Sequence, residues 1–266
     1  MAGKNIRNIV IDDSIIMYFD AANARSATSS IFYDLSKNCG SSRTFTNNPV
    51  YSTLGGGSYT FNGTNQYMET TYSQLNVPYT GKTIIACGYL STNFDLNIQG
   101  IPNYGFRAFF AKPNSTGTPV GQNIGRNWNF YIYNDNTGNG YQYHWSCYLS
   151  AGLSTYLPKI GPNAVVPGSW VVGAFTQDAT GLCTFYHNGV VAGTYSATLQ
   201  QYYNHPTDGE RIGASATGVS NYNGGAFWNG NIATVLIYKR GLTEAEIRKN
   251  YNVYSYRYGL PQLPEL

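Results

Sequence analysis

The sequence predicts an all-β fold in which antiparallel strands form two sheets packed face to face, a sandwich or jelly roll, with one short C-terminal helix. Charged residues are only 11% of the 266, while Gly (30) and Tyr (25) are abundant, and this composition favours turns and strands over helices. Short apolar runs separated by loops of varied length predict about a dozen strands. Since no internal repeat is present, a propeller is excluded.

Turn residues organise the first half of the chain. Residues 9–11 and 15–19 predict an opening strand pair around the turn-prone triplet 12–14. Asn62-Gly63, between two runs that contain Tyr and Phe, predicts a hairpin. Three further runs predict strands, the second fully buried and the third its neighbour: 31–36, 82–90 and 104–111.

The second half contains two predicted strand pairs. Residues 128–133 and 141–149 are joined by the polar loop 134–140. The run 170–176 predicts another strand, and 182–194 predicts a hairpin in which Asn188-Gly189 supplies the two positive-φ residues of a type I′ turn.

The closing segment, 227–251, combines three signals. Asn229-Gly230 predicts a turn, and residues 232–238 predict a strand that is apolar on both faces and therefore covered. Thr243 and Glu246 match a capping box, with Leu242 and Ile247 spaced for a hydrophobic staple, so a helix is predicted to begin there.

The length fits one large domain, because all-β sandwiches often reach this size. We predict a single domain over residues 1–257 and an extended tail over 258–266. The two prolines of the tail suit it to lying against a partner.

Charge and hydropathy exclude several classes of function. The net charge is +3, and the 16 Lys and Arg form no basic run that would follow a phosphate backbone, so no nucleic acid partner is expected. The sequence shows no apolar signal-peptide core and no run long enough to span a membrane. We therefore expect synthesis without a signal peptide and no membrane insertion.

The four cysteines predict no metal or disulfide framework. Cys39, Cys87, Cys147 and Cys183 are far apart, without a CxxC pair or metal-ligand spacing to histidine. Buried free thiols in a reducing compartment are the expectation.

Five segments occur in the order seen in the laminin-G-like, concanavalin A-like jelly rolls. They are IMYFDAANARS, FYDLSKN, SYTFNGTNQYME, FYHNGVVAGT and GNIATVLIYKRGLTEAEIRKNYN, starting at residues 16, 32, 58, 185 and 230. The chain resembles most the branch of this superfamily found in tailed-phage and large-virus structural proteins. The resemblance implies a curved antiparallel sandwich with the terminal helix beside the last strand. It does not by itself imply a ligand, because the superfamily includes lectins, glycanases, adhesion modules and virion components.

No catalytic residue is predicted. The catalytic branch of the jelly rolls carries Glu-x-Asp-x-x-Glu on one strand, a pattern that this sequence lacks, and glycoside hydrolysis needs two such carboxylates. The three histidines are not accompanied by Gly-x-Ser-x-Gly. We therefore expect a protein that is not an enzyme.

The hairpin over residues 128–149 is the candidate binding site. Sugar binding requires aromatic rings beside amide or carboxylate groups, and this segment contains both. The candidate contacts for a glycan or a protein are Asn134, Asp135, Asn136, Tyr141 and Tyr143.

No cofactor is expected, although the same loop contains oxygen donors for calcium. Asn134, Asp135 and Asn136 are possible ligands, as are Asp95 and Asp178. Each acid is alone in its segment, so a polar turn is the preferred interpretation.

Three hypotheses of function follow. The first is a non-enzymatic virion component at the virion surface, a capsid-decorating or knob-like protein that binds neighbouring capsid or tail proteins and is made in the host cytoplasm. The second is a lectin-like adhesin for host-surface polysaccharide, including a tail or fibre receptor-binding role. A glycoside hydrolase is the third.

Overall fold

Two antiparallel sheets contain all the strands of the computed structural model, which describes residues 9–27, 31–36, 42–69, 80–92, 105–113, 126–134, 141–148, 154–156, 160–196, 210–214 and 227–266. One α-helix, α1 (Glu244–Tyr258), follows the last strand in these ranges. The predicted all-β jelly roll with a C-terminal helix is confirmed. The strands, numbered along the chain, are β1 Ile15–Asp20, β2 Ile31–Tyr33, β3 Ser42–Thr46, β4 Val50–Ser52, β5 Ser58–Asn62, β6 Tyr67–Glu69, β7 Lys82–Leu90, β8 Gly105–Pro113, β9 Arg126–Asn134, β10 Tyr141–Tyr148, β11 Ser154–Tyr156, β12 Ile160–Val165, β13 Trp170–Gln177, β14 Leu182–His187, β15 Val190–Ser196, β16 Arg211–Ile212 and β17 Asn229–Tyr238.

The first sheet has eight strands in the order β15-β14-β13-β7-β17-β5-β4, with β1 also paired to β17. The long strand β17 makes this possible, because residues 229–232 pair with β5 and residues 234–238 pair with β1. The second sheet has nine strands in the order β11-β10-β9-β8-β16-β6-β3-β2, with β12 also paired to β10.

The main core lies between the two sheets and is rich in aromatic side chains. Trp228 is fully buried, its ring lies 4.0 Å from that of Phe109, and its indole N–H donates to the carbonyl oxygen of Asn231 at 3.2 Å. Because the indole N–H has this partner, burial of the ring leaves no polar group unsatisfied.

A second core lies on the outer side of the eight-stranded sheet, under α1. Alternate residues of β7 serve the two cores, with Ile84 and Ala86 between the sheets and Ile85 and Cys87 under the helix. This explains why both faces of β7 are apolar, and it confirms the predicted strand over 82–90, which is buried except at the half-buried Tyr89. The cysteines of the part of the chain that is described in full, Cys87 and Cys183, are buried free thiols, as predicted.

The predicted helix start is confirmed. The Thr243 side chain accepts from the Glu246 N–H at 3.3 Å, and the Glu246 carboxylate accepts from the Thr243 N–H at 2.9 Å. Leu242 and Ile247 are both buried in the second core, as expected for a staple. The helix then continues for 15 residues and ends at Gly259, which adopts the left-handed conformation. The structure describes no helix with the length and apolar composition needed to cross a membrane.

The Asn188-Gly189 hairpin is also confirmed, whereas the predicted hairpin at Asn62-Gly63 is wrong. Asn188 and Gly189 have φ of 49° and 77°, and β14 pairs with β15. After Asn62, in contrast, β5 pairs in the eight-stranded sheet and β6 in the nine-stranded sheet, so this turn connects the two sheets. Of its two residues only Gly63 has a positive φ, and a type I′ turn needs two.

Three smaller predictions are corrected. Residues 9–11 form no strand, because the N–H of Val10 donates to the side chain of Asn250 and the hydroxyl of Tyr238 donates to the Val10 carbonyl. Asn229-Gly230 lies inside β17, where a Cβ at Gly230 would collide with the carbonyl oxygen of Tyr89. Strand β8 is in the other sheet from β7, whose partners are β13 and β17.

Candidate functional site

The outer side of the nine-stranded sheet remains partly exposed over its last strands. Along β6, Met68 enters the core and its neighbours Tyr67 and Glu69 point to the opposite side, where both are half-buried. We call this side the open face, defined by Ile31, Tyr33, Thr44, Thr46, Tyr67, Glu69 and Arg211.

A compact group of charged and aromatic side chains lies on the open face. The Nε of Arg211 donates to the Glu69 carboxylate at 2.8 Å, and its guanidinium lies 4.8 Å from the ring centre of Tyr67. The ring of Phe227 is 6.2 Å from that of Tyr67. These residues, Tyr67, Glu69, Arg211 and Phe227, are the Arg211 cluster. It presents a donor, an acceptor and an aromatic surface within one patch.

Hydrogen bonds fix the loops next to the Arg211 cluster. Gln66 donates through Nε2 to the carbonyl oxygens of Asn47 and Asn48 at 2.9 and 3.0 Å, and Asn47 donates through Nδ2 to the Asn65 carbonyl at 2.8 Å. Asn62 donates through Nδ2 to the Asn65 side-chain oxygen at 2.9 Å. We call Asn47, Asn62, Asn65 and Gln66 the amide rim. The FNGTNQY segment thus holds two turns together immediately before Tyr67.

The predicted site residues lie partly outside the described residues. Asn134 is the last residue of β9, and Tyr141 and Tyr143 lie in β10, which pairs with β9 and β12. The hairpin strands at 128–133 and 141–148 are therefore confirmed. Asp135 and Asn136 fall in the undescribed range 135–140. A ligand contact by these five residues stays a prediction.

The predicted hairpin and the Arg211 cluster belong to the same sheet. A continuous row of backbone partners connects them, from Ser146 to Asn129, Ala111, Arg211 and Glu69. Sequence reasoning did not single out Arg211, because β16 has only two residues and its partner β6 lies far away in the chain. The available signal was the alternation of Tyr67, Met68 and Glu69.

For Asp178, the polar-turn interpretation is the one the structure supports. Its carboxylate oxygen accepts from the N–H and the hydroxyl of Thr180 at 2.8 and 2.7 Å, and from the N–H of Leu182 at 3.0 Å. Asp95 lies outside the described residues. Among the residues whose placement is described, no group of three His, Cys, Asp or Glu side chains is arranged to hold a metal ion.

The DAAN segment, which contributed to the resemblance, anchors the helix. Both carboxylate oxygens of Asp20 accept from Nη1 of Arg257 in α1 at 2.9 Å, and one also accepts from the Ala22 N–H at 3.0 Å. The Arg257 guanidinium lies 5.3 Å from the ring centre of Tyr258. This ion pair therefore joins strand β1 to helix α1.

Two carboxylates come close together around Arg240. Its guanidinium donates to Asp12 at 2.7 Å and to both oxygens of Glu246 at 2.6 and 2.8 Å. Partial burial opposes ionisation of Asp12, but hydrogen bonds from Ser14 and Arg240 outweigh it and lower its pKa to about 2. The bond to Arg240 also lowers the pKa of Glu246. A glycosidase acid needs a raised pKa, so this pair is suited to an ion pair and not to proton transfer.

The chain belongs to the concanavalin A-like lectin/glucanases superfamily. The model of that family, of the laminin G type, matches residues 102–248, more than half of the 266. The superfamily predicted from sequence is confirmed, and the viral branch stays a prediction. No curated protein sequence matches the chain.

Solved structures with this fold are longer proteins. The botulinum neurotoxin serotype D binding domain has a TM-score of 0.60 at 13% identity over 92% of this chain and 52% of its own. The binding domain of Paraclostridial Mosquitocidal Protein 1 has a TM-score of 0.58 at 16% identity, over 94% of this chain and 56% of its own. Trypanosoma rangeli sialidase has a TM-score of 0.54 at 12% identity, over 93% of this chain and 33% of its own. The chain thus spans about half, or less, of these structures, and at such identities the likeness shows the fold.

Proposed function

We propose that this chain is a non-catalytic recognition module that binds carbohydrate through the open face of its nine-stranded sheet. The observation that carries the proposal is the Arg211 cluster, in which Tyr67, Glu69 and Arg211 lie together on a partly exposed surface. The outer side of the other sheet carries a core under α1 and is less suited to ligand binding.

The chemistry of the cluster matches that of a sugar. The C–H faces of a pyranose pack on aromatic rings, and its neighbouring hydroxyls take hydrogen bonds from guanidinium groups and donate them to carboxylates. Arg211 and Glu69 bring a donor and an acceptor together at 2.8 Å, with 12% of the Arg211 side chain and 29% of the Glu69 side chain exposed. Hydrogen bonds that involve an ionised partner are also stronger than neutral ones.

The cluster is preorganised by its surroundings. Backbone pairing of β16 with β6 aligns Arg211 with Glu69, and the amide rim fixes the loop before Tyr67. Binding then requires little ordering of side chains or loops, which reduces its entropic cost.

The comparisons agree with a binding role. Two of the similar structures are binding domains, one of a botulinum neurotoxin and one of a mosquitocidal protein, and a third is a sialidase. Because this chain covers only part of those proteins, their receptors and activities are not assigned to it. The described carboxylates around Arg240 and Arg257 serve ion pairs, which supports a module without catalysis.

A glycan array probed with the purified chain, followed by calorimetry on a retained glycan, tests the proposal. Tyr67→Ala is expected to weaken binding about tenfold, through loss of the aromatic contact. Tyr195→Ala is the matched control, because Tyr195 is an exposed tyrosine of β15 in the other sheet and lies outside the open face; it should leave affinity within about twofold.

A third variant separates the two candidate sites. If Tyr141→Ala abolished glycan binding and Tyr67→Ala did not, the ligand would bind at the β9–β10 hairpin and the Arg211 cluster would be excluded. If the chain bound no glycan on an array that covers neutral and acidic saccharides, the proposed function would be contradicted.

A second candidate is the virion role, in which the protein binds neighbouring virion proteins at the surface of the particle. Exposed apolar side chains at both edges of the eight-stranded sheet favour it: Val50 is 64% exposed in β4, and Val190 and Val191 are 50% and 40% exposed in β15. Edge strands without charge are suited to protein contact. Immunogold labelling of purified particles tests this role, and unlabelled particles from a lysate that contains the protein would exclude it.

A further inference from the structure

The residues after α1 fold back along the helix that precedes them. We call residues 260–266 the arm. The side chain of Asn252 makes two hydrogen bonds to one residue of the arm. Its Nδ2 donates to the Leu263 carbonyl at 2.8 Å, and its oxygen accepts from the Leu263 N–H at 2.9 Å. The hydroxyl of Tyr251 donates to the Pro261 carbonyl at 2.6 Å. As the arm proceeds, its partners move towards the start of α1, so the two run antiparallel.

Apolar contacts complete the docking. Leu260 and Leu263 pack against the second core, which includes Tyr251 and Tyr254. Leu263 also approaches the β14–β15 turn, where its side chain would lie 2.8 Å from a Cβ at Gly189. The groove between α1 and this turn therefore takes a segment with leucines three residues apart.

Most of the anchoring bonds reach main-chain atoms of the arm, and the side chain of Gln262 adds bonds from its Nε2 to the Asn252 carbonyl at 3.1 Å and to the Ser255 hydroxyl. Arg248 continues the pattern by donating to the Pro264 carbonyl at 3.2 Å. Main-chain bonds and two leucine contacts are the same whichever copy of the chain supplies the segment. Pro261 and Pro264 restrict the arm to extended conformations before it binds, so docking costs little backbone entropy.

One residue joins the arm to the helix. Gly259 has φ of 67°, and a Cβ built on it would have no heavy atom within 4 Å. The return of the arm onto its own helix depends on this left-handed conformation. An extended conformation at the same residue would direct the arm away from its own domain and would break the bond from the Leu260 N–H to the Ser255 carbonyl, while the leucine contacts would have to be remade with a second copy.

The surface around the groove is incompletely covered. Tyr256, one helical turn after Asn252, is 81% exposed, and Val190 follows Gly189 with half of its side chain exposed. A cleft of about 350 Å³ remains between the arm and the helix, lined by Ala245, Lys249 and other residues. A second copy meeting the first at the end of α1 would cover Tyr256, an apolar surface that a lone chain leaves in water.

We propose that the arm is exchangeable, so that the α1 groove of one copy binds residues 260–264 of a second copy and two chains form a reciprocally swapped dimer. The occupant is this chain's own segment, because the groove is already complementary to it. This inference does not depend on the proposed carbohydrate binding, and the dimer would present two open faces.

Hinge variants of the full chain test the exchange. Gly259→Val disfavours the left-handed conformation, whereas Gly259→Asn tolerates it, and both side chains enter open space. Size-exclusion chromatography with light scattering over a range of concentrations is expected to show about a tenfold larger dimer-to-monomer ratio for Gly259→Val than for the parent chain. Gly259→Asn should match the parent. Gly259→Ala should be intermediate and keeps the test valid if the valine variant aggregates.

A second substitution shows whether the dimer uses the groove. Asn252→Ala in the Gly259→Val background removes the paired bonds to Leu263 and should return the chain to monomer while circular dichroism remains that of a folded sheet protein. Monomeric Gly259→Val and Gly259→Ala at every concentration would overturn the proposal. A dimer that persists with Asn252→Ala would overturn it as well.

Discussion

Two clusters of the same side-chain types lie on opposite sides of this molecule. Under α1, Arg257 pairs with Asp20 at 2.9 Å and lies 5.3 Å from the Tyr258 ring; on the open face, Arg211 pairs with Glu69 at 2.8 Å and lies 4.8 Å from the Tyr67 ring. Their local geometries are almost the same, and their surroundings differ. Tyr258 is 7% exposed and stacks on Trp170 at 4.2 Å, whereas Tyr67 is half-buried beside solvent.

Burial of the tyrosine and of the acid, and not residue type, therefore separates a structural cluster from a candidate binding cluster, whereas the two arginine side chains are similarly buried. The Arg257 cluster joins the first strand to the last helix, and its rings fill the second core. The Arg211 cluster joins neighbouring strands, and its Tyr67 and Glu69 side chains remain partly in contact with water. An Arg, an acid and a Tyr in sequence therefore indicate neither role until the tertiary structure is known.

Truncation of the equivalent tyrosines should distinguish the two clusters most strongly. Tyr258→Ala should lower the free energy of unfolding by about 3–5 kcal/mol, because it leaves a cavity against Trp170 under the helix. Tyr67→Ala should lower it by about 1 kcal/mol or less, as a cross-strand contact on a partly exposed face. Urea unfolding followed by tryptophan fluorescence measures both, and equal losses would remove the distinction between the two clusters.

A smaller effect is expected at the start of the covering helix. Thr243→Ala removes the side chain that accepts from the Glu246 N–H and should cost about 1 kcal/mol. Thr44→Ala on the open face is the matched control and should change stability by less than about 0.5 kcal/mol. The same urea titration compares them. A loss at Thr44 as large as that at Thr243 would mean that the open face carries more of the fold than its exposure indicates.

The smallest effect concerns acid stability on the helix side. The folded pKa of Asp12, about 2, lies below its ordinary value of about 3.9, so ionised Asp12 stabilises the fold above about pH 4 and this contribution is lost as the pH falls towards 2. Glu246, whose pKa is also lowered, acts in the same direction. Arg240→Gln should therefore make stability less dependent on pH between about 4 and 2.

Thermal unfolding at several pH values measures this change. Lys239→Gln removes one positive charge from the adjacent residue and serves as the control, because the Arg240 carboxylate contacts remain. An unchanged pH dependence in Arg240→Gln would show that the carboxylates are stabilised by other groups.

Local signals predicted the fold well where a few adjacent residues decide the structure. The Thr243–Glu246 capping box and the Asn188-Gly189 hairpin were both found from sequence and are present. Asn62-Gly63 has the same turn chemistry, but its two flanking strands pair in different sheets. Which sheet a strand joins depends on partners far away in the chain, so the turn alone could not decide it.

The candidate site shows the same limit. The predicted hairpin over 128–149 contributes β9 and β10 to the sheet that carries the open face, yet Arg211 was not recognised as a site residue. It meets Glu69, 142 positions earlier, only because β16 pairs with β6. A strand of two residues is too short to give a sequence pattern that would predict such a contact.

Sequence patterns alone predict most of the long strands, the Asn188-Gly189 turn and the capped helix, because these follow from the conformational preferences and hydrogen bonds of adjacent residues. Only the tertiary structure decided which face of each sheet is covered and which arginine meets which carboxylate. The physical reason is that burial and pairing are set by long-range contacts. Asp20 and Arg257 are 237 residues apart and form an ion pair under α1. The helix covers the outer side of the eight-stranded sheet, whereas the open face of the other sheet stays in contact with water.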